Sequence, residues 1–222
     1  MTLAQLIAQF RRDADDRLEP PLFADEDIIG WLNEAQDEAA IRARLLHESS
    51  NPAQCQIAVE AGEAVYTLHP ALYELTYTAF ARDGDSRRLH IELVSTEFLD
   101  SKDPDWRTRE GDPGYAIQDD TTLRLAPNPT SPGILHLEGY RLPLEPMEVD
   151  GDSPEIHGAH HRPLVQWALH RAFAVPDKDT YDLARSDAAE AEFTRYFGPR
   201  PDADLRRVTR EDVPHHVAPD WP

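Results

Sequence analysis

The hydrophobic pattern of this chain changes twice along its length, and this order constrains the fold more than any other feature. Apolar residues recur at helical spacing before about residue 48 and again after about residue 160. The segment between them consists of short runs rich in β-branched and aromatic residues, separated by turns. The pattern predicts an α+β protein. In it, N- and C-terminal helical hairpins form a bundle that carries an inserted antiparallel β domain, either a sandwich or a small barrel.

Helices are predicted at both ends of the chain. Thr2 is a suitable cap for the first, and the second opens at Asp25 and is expected to run to about Glu48. The last is expected to stop at Gly198, a residue suited to a C-cap. The apolar positions that define these helices are Leu3, Leu6, Ile7 and Phe10; Ile28, Leu32, Ala35, Ala39 and Leu46; Leu164, Val165, Ala168, Leu169, Ala172 and Phe173; and Ala184, Ala188, Ala191 and Phe193.

The middle of the chain is predicted to contain six or seven short strands. The first two, residues 56–59 and 64–68, flank Ala61-Gly62-Glu63, which predicts a β-hairpin. Ser95 is a suitable cap for a brief helical turn within this region. The further strand candidates are residues 75–81, 88–94, 114–118, 121–125 and 134–140.

These changes of period divide the chain into three predicted parts. Residues 1–51 and 155–198 form the helical bundle, residues 52–154 form the inserted β domain, and residues 199–222 form an extended C-terminal tail. The tail has several prolines, no sustained apolar period and a basic cluster in an otherwise acidic chain. The cluster consists of Arg206, Arg207 and Arg210, and Trp221 follows it near the end.

The net charge limits the classes of binding partner. The chain has 42 acidic and 22 basic residues, a formal net charge of −20 at pH 7. Such a surface repels phosphates and anionic headgroups, which disfavours binding to nucleic acids and membrane surfaces. It is compatible with DNA that passes by without binding, because affinity for the DNA backbone comes mainly from Lys and Arg.

Cysteine content and hydropathy indicate the compartment. Cys55 is the single cysteine, so the chain cannot form an intramolecular disulfide or a thiolate metal cluster, and a reducing compartment fits. The first residues have no basic leader before their short apolar stretch, and no later run approaches the length of a membrane span. The sequence therefore predicts a protein that is neither secreted nor embedded in a membrane by its own signals.

Three histidines, His157, His160 and His161, stand close together before the third terminal helix, and imidazoles at helical spacing can share a metal ion. A metal-dependent hydrolase is the enzymatic alternative that this cluster suggests. The segment lacks the His-Glu-x-x-His order, and Gly158 and Pro163 fit poorly in a regular helix. We interpret it as a helix-entry turn with solvent-facing histidines, and we predict no metal, cofactor or catalytic residue.

Asp177, Asp179 and Asp182 crowd the turn before the last helix, which is predicted to start at Thr180 or Asp182. Alternating carboxylates suit calcium, but the pattern lacks the glycine and the glutamate of a calcium-binding loop. Acidic residues also favour helix N-termini, where they cap N–H groups and complement the helix dipole. We therefore expect these residues to serve the helix rather than an ion.

Motifs for catalysis are lacking elsewhere in the sequence. It contains no nucleophile elbow, phosphate-cradling Gly-rich loop or dinucleotide fingerprint. Cys55 falls in a predicted strand with no histidine beside it. Trp31, Trp106 and Trp167 are expected to belong to the core. These observations predict a protein that is not an enzyme.

The order of several framework segments is more informative than any single motif. The segments are residues 31–46, Asp105-Trp106-Arg107, Gly111-Asp112-Pro113, residues 125–129, residues 140–144, residues 164–173 and residues 193–198. Together they resemble the head-to-tail adaptor, or connector, proteins of tailed bacteriophages, especially those of the short-tailed type. The likeness covers most of residues 1–198 and identifies no catalytic group.

The resemblance implies a structural protein of the virion neck, assembled in the host cytoplasm and located between the capsid portal and the tail. Its implied partners are the portal protein, the nozzle or tube proteins of the tail, and further copies of itself in a ring of twelve. Genomic DNA would pass through this ring without specific binding. A tail-tube or tail-terminator ring protein is the alternative, which the helix-rich ends disfavour because tube proteins are mostly β.

Families of this kind often use a C-terminal arm to grip the portal, and residues 200–222 would form that arm here. Arg206, Arg207 and Arg210 are then candidates for pairing with an acidic groove on the portal, although they also fit ordinary solvated charges. Trp221 lies in a polar segment without a local core, so it either anchors in a pocket of the partner or has no fixed place.

Overall fold

The computed structural model describes residues 1–176 and 180–201. Within these ranges the chain forms six α-helices and ten strands, which confirms the predicted α+β class. The helices are α1 (Leu3–Ala14), α2 (Asp25–Ala43), α3 (Pro52–Cys55), α4 (Thr96–Lys102), α5 (Leu164–Ala174) and α6 (Leu183–Phe197). The strands are β1 (His47–Glu48), β2 (Gln56–Val59), β3 (Val65–Thr67), β4 (Leu72–Arg82), β5 (Leu89–Leu93), β6 (Glu110–Gly111), β7 (Tyr115–Gln118), β8 (Thr122–Ala126), β9 (Asn128–Pro129) and β10 (Gly133–Arg141).

The chain divides into two compact units. The helical unit comprises Met1–Leu46 and Leu142–Arg200, and the β unit comprises His47–Arg141. Each unit has a buried apolar core of its own. None of the helices in residues 1–176 and 180–201 combines the length and the apolar character that crossing a membrane requires.

Helix α1 starts at a capping box. The Thr2 side chain accepts a hydrogen bond from the Gln5 N–H, and the Gln5 side chain accepts one from the Thr2 N–H. Leu3, Leu6 and Phe10 are fully buried and belong to the core that α1 shares with α2, α5 and α6. The helical spacing of these apolar residues therefore predicts the buried face correctly.

Helix α2 ends at Ala43, earlier than predicted. Arg44 has a φ of 51°, in the left-handed region, and its N–H donates to the Ala40 carbonyl to close the helix. The chain then pairs with β10 as strand β1 instead of continuing as a helix. Leu46 still packs partly against the helical core. A pairing between residues distant in sequence therefore decides this boundary.

Helices α5 and α6 pack against each other in the helical unit. Asp182 caps α6 by accepting the Arg185 N–H at 3.1 Å, which confirms the capping interpretation for this residue. After α6, Gly198 has a φ of 88°, a conformation that favours glycine. Trp167 lies in the core, as predicted, with its ring centroid 5.1 Å from that of Phe193.

The β unit contains one eight-stranded sheet in the order β1-β10-β4-β5-β7-β8-β3, and β2 also pairs with β10. The prediction of a purely antiparallel domain is wrong at two places. Strands β5 and β7 run parallel, with Glu92 opposite Tyr115, and so do the short strands β6 and β9. Helix α4 lies between β5 and β7 in sequence and forms part of the crossover that a parallel pair needs.

The predicted hairpin of residues 56–59 and 64–68 is also wrong. Strand β2 pairs with β10, whereas β3 pairs with β8 at the other end of the strand order. The connection between them is closed by Tyr66, whose hydroxyl donates to the carbonyls of Glu60 (3.2 Å) and Glu63 (2.7 Å). Because this connection is short, it draws the two ends of the strand order together and the sheet curls.

Curling allows one face of the sheet to enclose a core. Side chains from β2, β3, β4, β5, β7, β8 and β10 meet in one buried cluster. On the other face, Ile117 and Ala126 pack with Leu99 of α4 and with Trp106, which is buried as predicted. Successive strand residues point to opposite faces, so Ala116 belongs to the main core and Ile117 to the smaller cluster.

Candidate interaction surfaces

The histidines before α5 have separate structural roles. The expectation of solvent-facing side chains is wrong for His161, which is 5% exposed, and its Nε2 donates to the Ile156 carbonyl at 2.8 Å. His157 caps the following turn, and the Nδ1 of His160 lies 3.2 Å from the Tyr196 hydroxyl. Among the residues that the structure describes, no group of three or more His, Cys, Asp or Glu side chains is placed to hold a metal ion.

The predicted residues of the C-terminal arm lie outside the described part of the chain. These residues are Arg206, Arg207, Arg210 and Trp221. Asp177 and Asp179, two of the acidic residues predicted in the turn before the last helix, also lie outside the described residues. Near the end of the described chain, an Arg200 guanidinium nitrogen lies 3.4 Å from a carboxylate oxygen of Glu38 on α2. The arm therefore begins beside an acidic residue of the helical unit.

Cys55 ends the short helix α3 rather than lying in a strand. Asn51 caps this helix and Pro52 occupies its first turn, which are both helix-start signals. Burial raises the pKa of the Cys55 thiol, and the nearby carboxylates of Glu48 and Glu138 raise it further. A raised thiol pKa disfavours the thiolate that nucleophilic catalysis needs, so Cys55 has the properties of a packing residue.

Glu48 organises the segment that enters the β unit. Its carboxylate accepts hydrogen bonds from the backbone N–H groups of Ser50 (3.0 Å), Asn51 (3.1 Å) and Ser49 (3.0 Å). These bonds, with that of Ser50 the strongest influence, lower the pKa of Glu48 to about 2. The lowered pKa means that the charged form of this side chain stabilises the fold.

We expect Glu48→Gln to reduce the free energy of unfolding at pH 7 by about 1–2 kcal/mol, because an amide oxygen is a weaker acceptor. The contribution of a carboxylate with a lowered pKa is present above its ordinary value of 4.5 and is lost as pH falls toward 2. The difference from wild type should therefore shrink at pH 3. Urea unfolding at both pH values tests this, with Glu63→Gln as an exposed control; an unchanged difference would contradict it.

An exposed loop joins α1 to α2 and runs from Leu18 to Leu22 with the sequence Leu-Glu-Pro-Pro-Leu. The two leucines are 82% and 60% exposed. The base of the loop is held by Asp16, whose carboxylate accepts the Leu22 N–H (2.7 Å) and the Phe23 N–H (3.3 Å). Asp16 is 3% exposed and pairs with Arg11 at 2.5 Å. A partly buried ion pair therefore shapes a loop that presents apolar side chains to solvent.

Asp16→Asn is expected to destabilise the protein by about 2–3 kcal/mol, because it leaves the Arg11 guanidinium without its buried partner. The substitution should also loosen the exposed loop. Arg17 directly precedes this loop, and trypsin cleaves after arginine. Limited trypsin digestion should cut the variant at Arg17 several times faster than wild type. Asp13→Asn is the matched control, since this exposed carboxylate of α1 contacts the Gln9 side chain. Equal cleavage rates in all three proteins would contradict the role of Asp16.

The exposed loop lies at the same end of the helical unit as the start of α6. Arg185 of α6 donates to the carbonyls of Asp13 (3.2 Å) and Ala14 (3.4 Å) at the end of α1. Sequence periodicity misses this surface, because Leu18 and Leu22 lie between the predicted helices. The two leucines around a proline pair are the one signal in the sequence that points to it. Exposed apolar side chains also occur at Val175, Tyr181 and Leu183, close in sequence to the start of α6.

A second surface, the cleft, lies between the start of α5 and the end of α6. Arg195 pairs with Glu192 of its own helix, whereas exposed Arg162 has no ion-pair partner within residues 1–176 and 180–201. Tyr196 is 50% exposed. The cleft therefore offers an unpaired cation beside an exposed aromatic ring. The residues that line it are Arg162, Pro163, Gln166, Glu192, Arg195 and Tyr196.

Comparison with known proteins gives one family. A family model described as SU10 adaptor protein matches residues 1–217 of the 222-residue chain. The match spans the helical unit, the β unit and most of the C-terminal arm, so it concerns the whole architecture rather than one unit of it. No curated protein sequence matches the chain.

Proposed function

The chain belongs to the SU10 adaptor protein family, a family of phage head-to-tail adaptors, and we propose that it forms the ring that joins the portal to the tail. Membership identifies a structural phage protein of the virion neck and implies a role other than catalysis. The resemblance seen in the framework segments is thereby confirmed. The observation that carries the proposal is the family match over residues 1–217.

The proposed ring contains twelve copies and continues the DNA channel from the portal. A ring needs two different complementary faces on each subunit. The exposed loop and the cleft are two separate surfaces of the helical unit from which such faces can be built. The net charge of −20 supports a channel through which DNA slides, because few cations are available to bind phosphates. The two surfaces support the assembly of a ring, and the acidic charge supports a DNA channel through it.

We propose that the C-terminal arm grips the portal through Arg206, Arg207, Arg210 and Trp221. A basic cluster in an acidic chain supports this role, because it is suited to an acidic groove on a partner. The chain enters the arm beside Glu38 on α2, so Arg200 and Glu38 mark where the arm starts. Shortening the chain after Pro201 would remove residues 202–222 of the arm, including Arg206, Arg207, Arg210 and Trp221, and keep the Arg200–Glu38 contact.

The test is to mix the full-length protein with the portal protein of the same phage and to image the product by electron microscopy. A ring of twelve copies bound to the portal is the expected result. The chain shortened after Pro201 should bind at least tenfold more weakly if the arm contributes even one buried anchor. A protein that ignores the portal but assembles on tail-tube proteins would instead support the tail-terminator alternative.

A further inference from the structure

We propose that the exposed loop of one copy docks in the cleft of a second copy, where the Glu19 carboxylate pairs with the Arg162 guanidinium. This inference rests on the proposed function, because it supplies the contact between neighbouring subunits of the ring. It names one occupant for the cleft, the Leu-Glu-Pro-Pro-Leu loop of the same protein.

The loop has the properties of an inserting segment. Leu18 and Leu22, 82% and 60% exposed, would lose water contact on docking, which stabilises an interface in proportion to the apolar area covered. Three residues lie between the two leucines: Glu19, which is charged, and the prolines Pro20 and Pro21. Asp16 fixes the base of the loop through hydrogen bonds and an ion pair, so little conformational freedom is lost when the loop docks.

The cleft has matching chemistry. Pro163 and the half-exposed ring of Tyr196 provide apolar surface for leucine side chains. Arg162 is exposed and, in the part of the chain that the structure describes, has no carboxylate partner. Arg195, the other arginine that lines the cleft, already pairs with Glu192, so Arg162 is the cleft cation that remains available to an incoming carboxylate. Glu19 is likewise exposed and has no ion-pair partner among the described residues.

The two surfaces lie at opposite ends of the helical unit. The loop follows the end of α1, which contacts the start of α6 through Arg185. The cleft lies at the other end of α6, near Met1, where a nitrogen of buried His161 lies 2.6 Å from the Met1 amino group. Helix α1 alone separates these ends by roughly 18 Å. A loop therefore cannot enter the cleft of its own copy, and a contact of this kind between copies repeats head to tail and can close a ring.

Charge exchange tests the pairing directly. Full-length variants Glu19→Arg, Arg162→Glu and the double variant are mixed with the portal protein, and bound copies are counted by mass photometry and electron microscopy. We expect each single variant to reduce the fraction of portals with a complete ring by about tenfold or more, because like charges then meet at every subunit contact. The double variant should recover to within about threefold of wild type. Leu18→Ser should also reduce complete rings, with unchanged net charge.

Glu63→Arg is the control, since it makes the same charge change at an exposed turn of the β unit. Circular dichroism checks that all variants are folded, which their exposed positions favour. Single variants that still form complete rings, or a double variant that does not recover, would overturn the inference. Single variants that fail to bind the portal even as separate copies would also overturn it, because the loop would then contact the portal. If wild type forms no ring on the portal, the proposed function itself fails.

Discussion

Gly133→Ala is expected to disrupt the β unit and to reduce the free energy of unfolding by more than about 3 kcal/mol. Gly133 starts β10, the strand that pairs with both β4 and β2. A Cβ at this position would lie 2.2 Å from the Ala81 carbonyl oxygen and 2.7 Å from the Phe80 ring. Because the first of these atoms belongs to the backbone of the paired strand, a side-chain rotation cannot relieve the clash. The strands must separate locally.

Hydrogen exchange followed by mass spectrometry measures where this loss occurs. Amides of β10 and β4 should exchange much faster in Gly133→Ala, because their pairing weakens. Gly114→Ala is the matched control: a Cβ there meets no atom within 4 Å, so its stability should stay within about 1 kcal/mol of wild type. Similar stabilities for the two variants would show that β10 does not approach β4 as closely as described.

Phe193→Ala is expected to reduce the free energy of unfolding by about 3–5 kcal/mol, the cost of emptying a well-packed aromatic site. The Phe193 ring is fully buried in the core of the helical unit. Its centroid lies 5.1 Å from that of Trp167 and 4.7 Å from that of Phe197. The Arg42 guanidinium carbon lies 5.2 Å from the same centroid. Removing the ring therefore leaves a cavity and withdraws a partner from three side chains.

Urea unfolding monitored by circular dichroism and tryptophan fluorescence measures this effect. Phe193→Leu should cost less than half as much, because leucine fills part of the cavity. Asp187→Ala is an exposed control on the same helix and should change stability by less than about 0.5 kcal/mol. A cost below about 1 kcal/mol for Phe193→Ala would mean that α6 does not pack on α5 through this residue.

The helices follow closely from the sequence. The cap at Thr2, the cap at Asp182 and the stop at Gly198 lie where the local signals predict them. Helical hydrogen bonds and the spacing of buried side chains connect residues only three or four positions apart, so a local pattern contains the necessary information. The structure corrects three of the helix predictions. Helix α2 ends early because β1 pairs with β10, and the short helix α3 stands where a strand was predicted at Cys55. The predicted apolar face of α6 is correct only at Phe193, because tertiary packing buries a different side of this helix: Ala184, Ala188 and Ala191 are exposed, whereas Ser186, Ala189 and Phe197 are buried.

Strand pairing could not be read from the same patterns. Alternation shows which side chains of a strand share a face but does not show which strand lies beside it. The turn around Gly62 suggested a hairpin, yet β2 and β3 pair with β10 and β8 instead. The parallel pairing of β5 and β7 likewise depends on contacts between residues separated by helix α4.

The sequence alone determined the α+β class, the caps of the first and last helices, the buried faces of α1, α2 and α5, and the resemblance to phage adaptors, because these depend on local periodicity and on the order of framework residues. Only the tertiary structure decided the curl of the sheet, the burial of His161 and the shape of the exposed loop held by Asp16. It also placed Glu19 and Arg162 at opposite ends of one unit, unpaired within the described residues. These features depend on contacts between residues far apart in the chain, which local patterns do not encode.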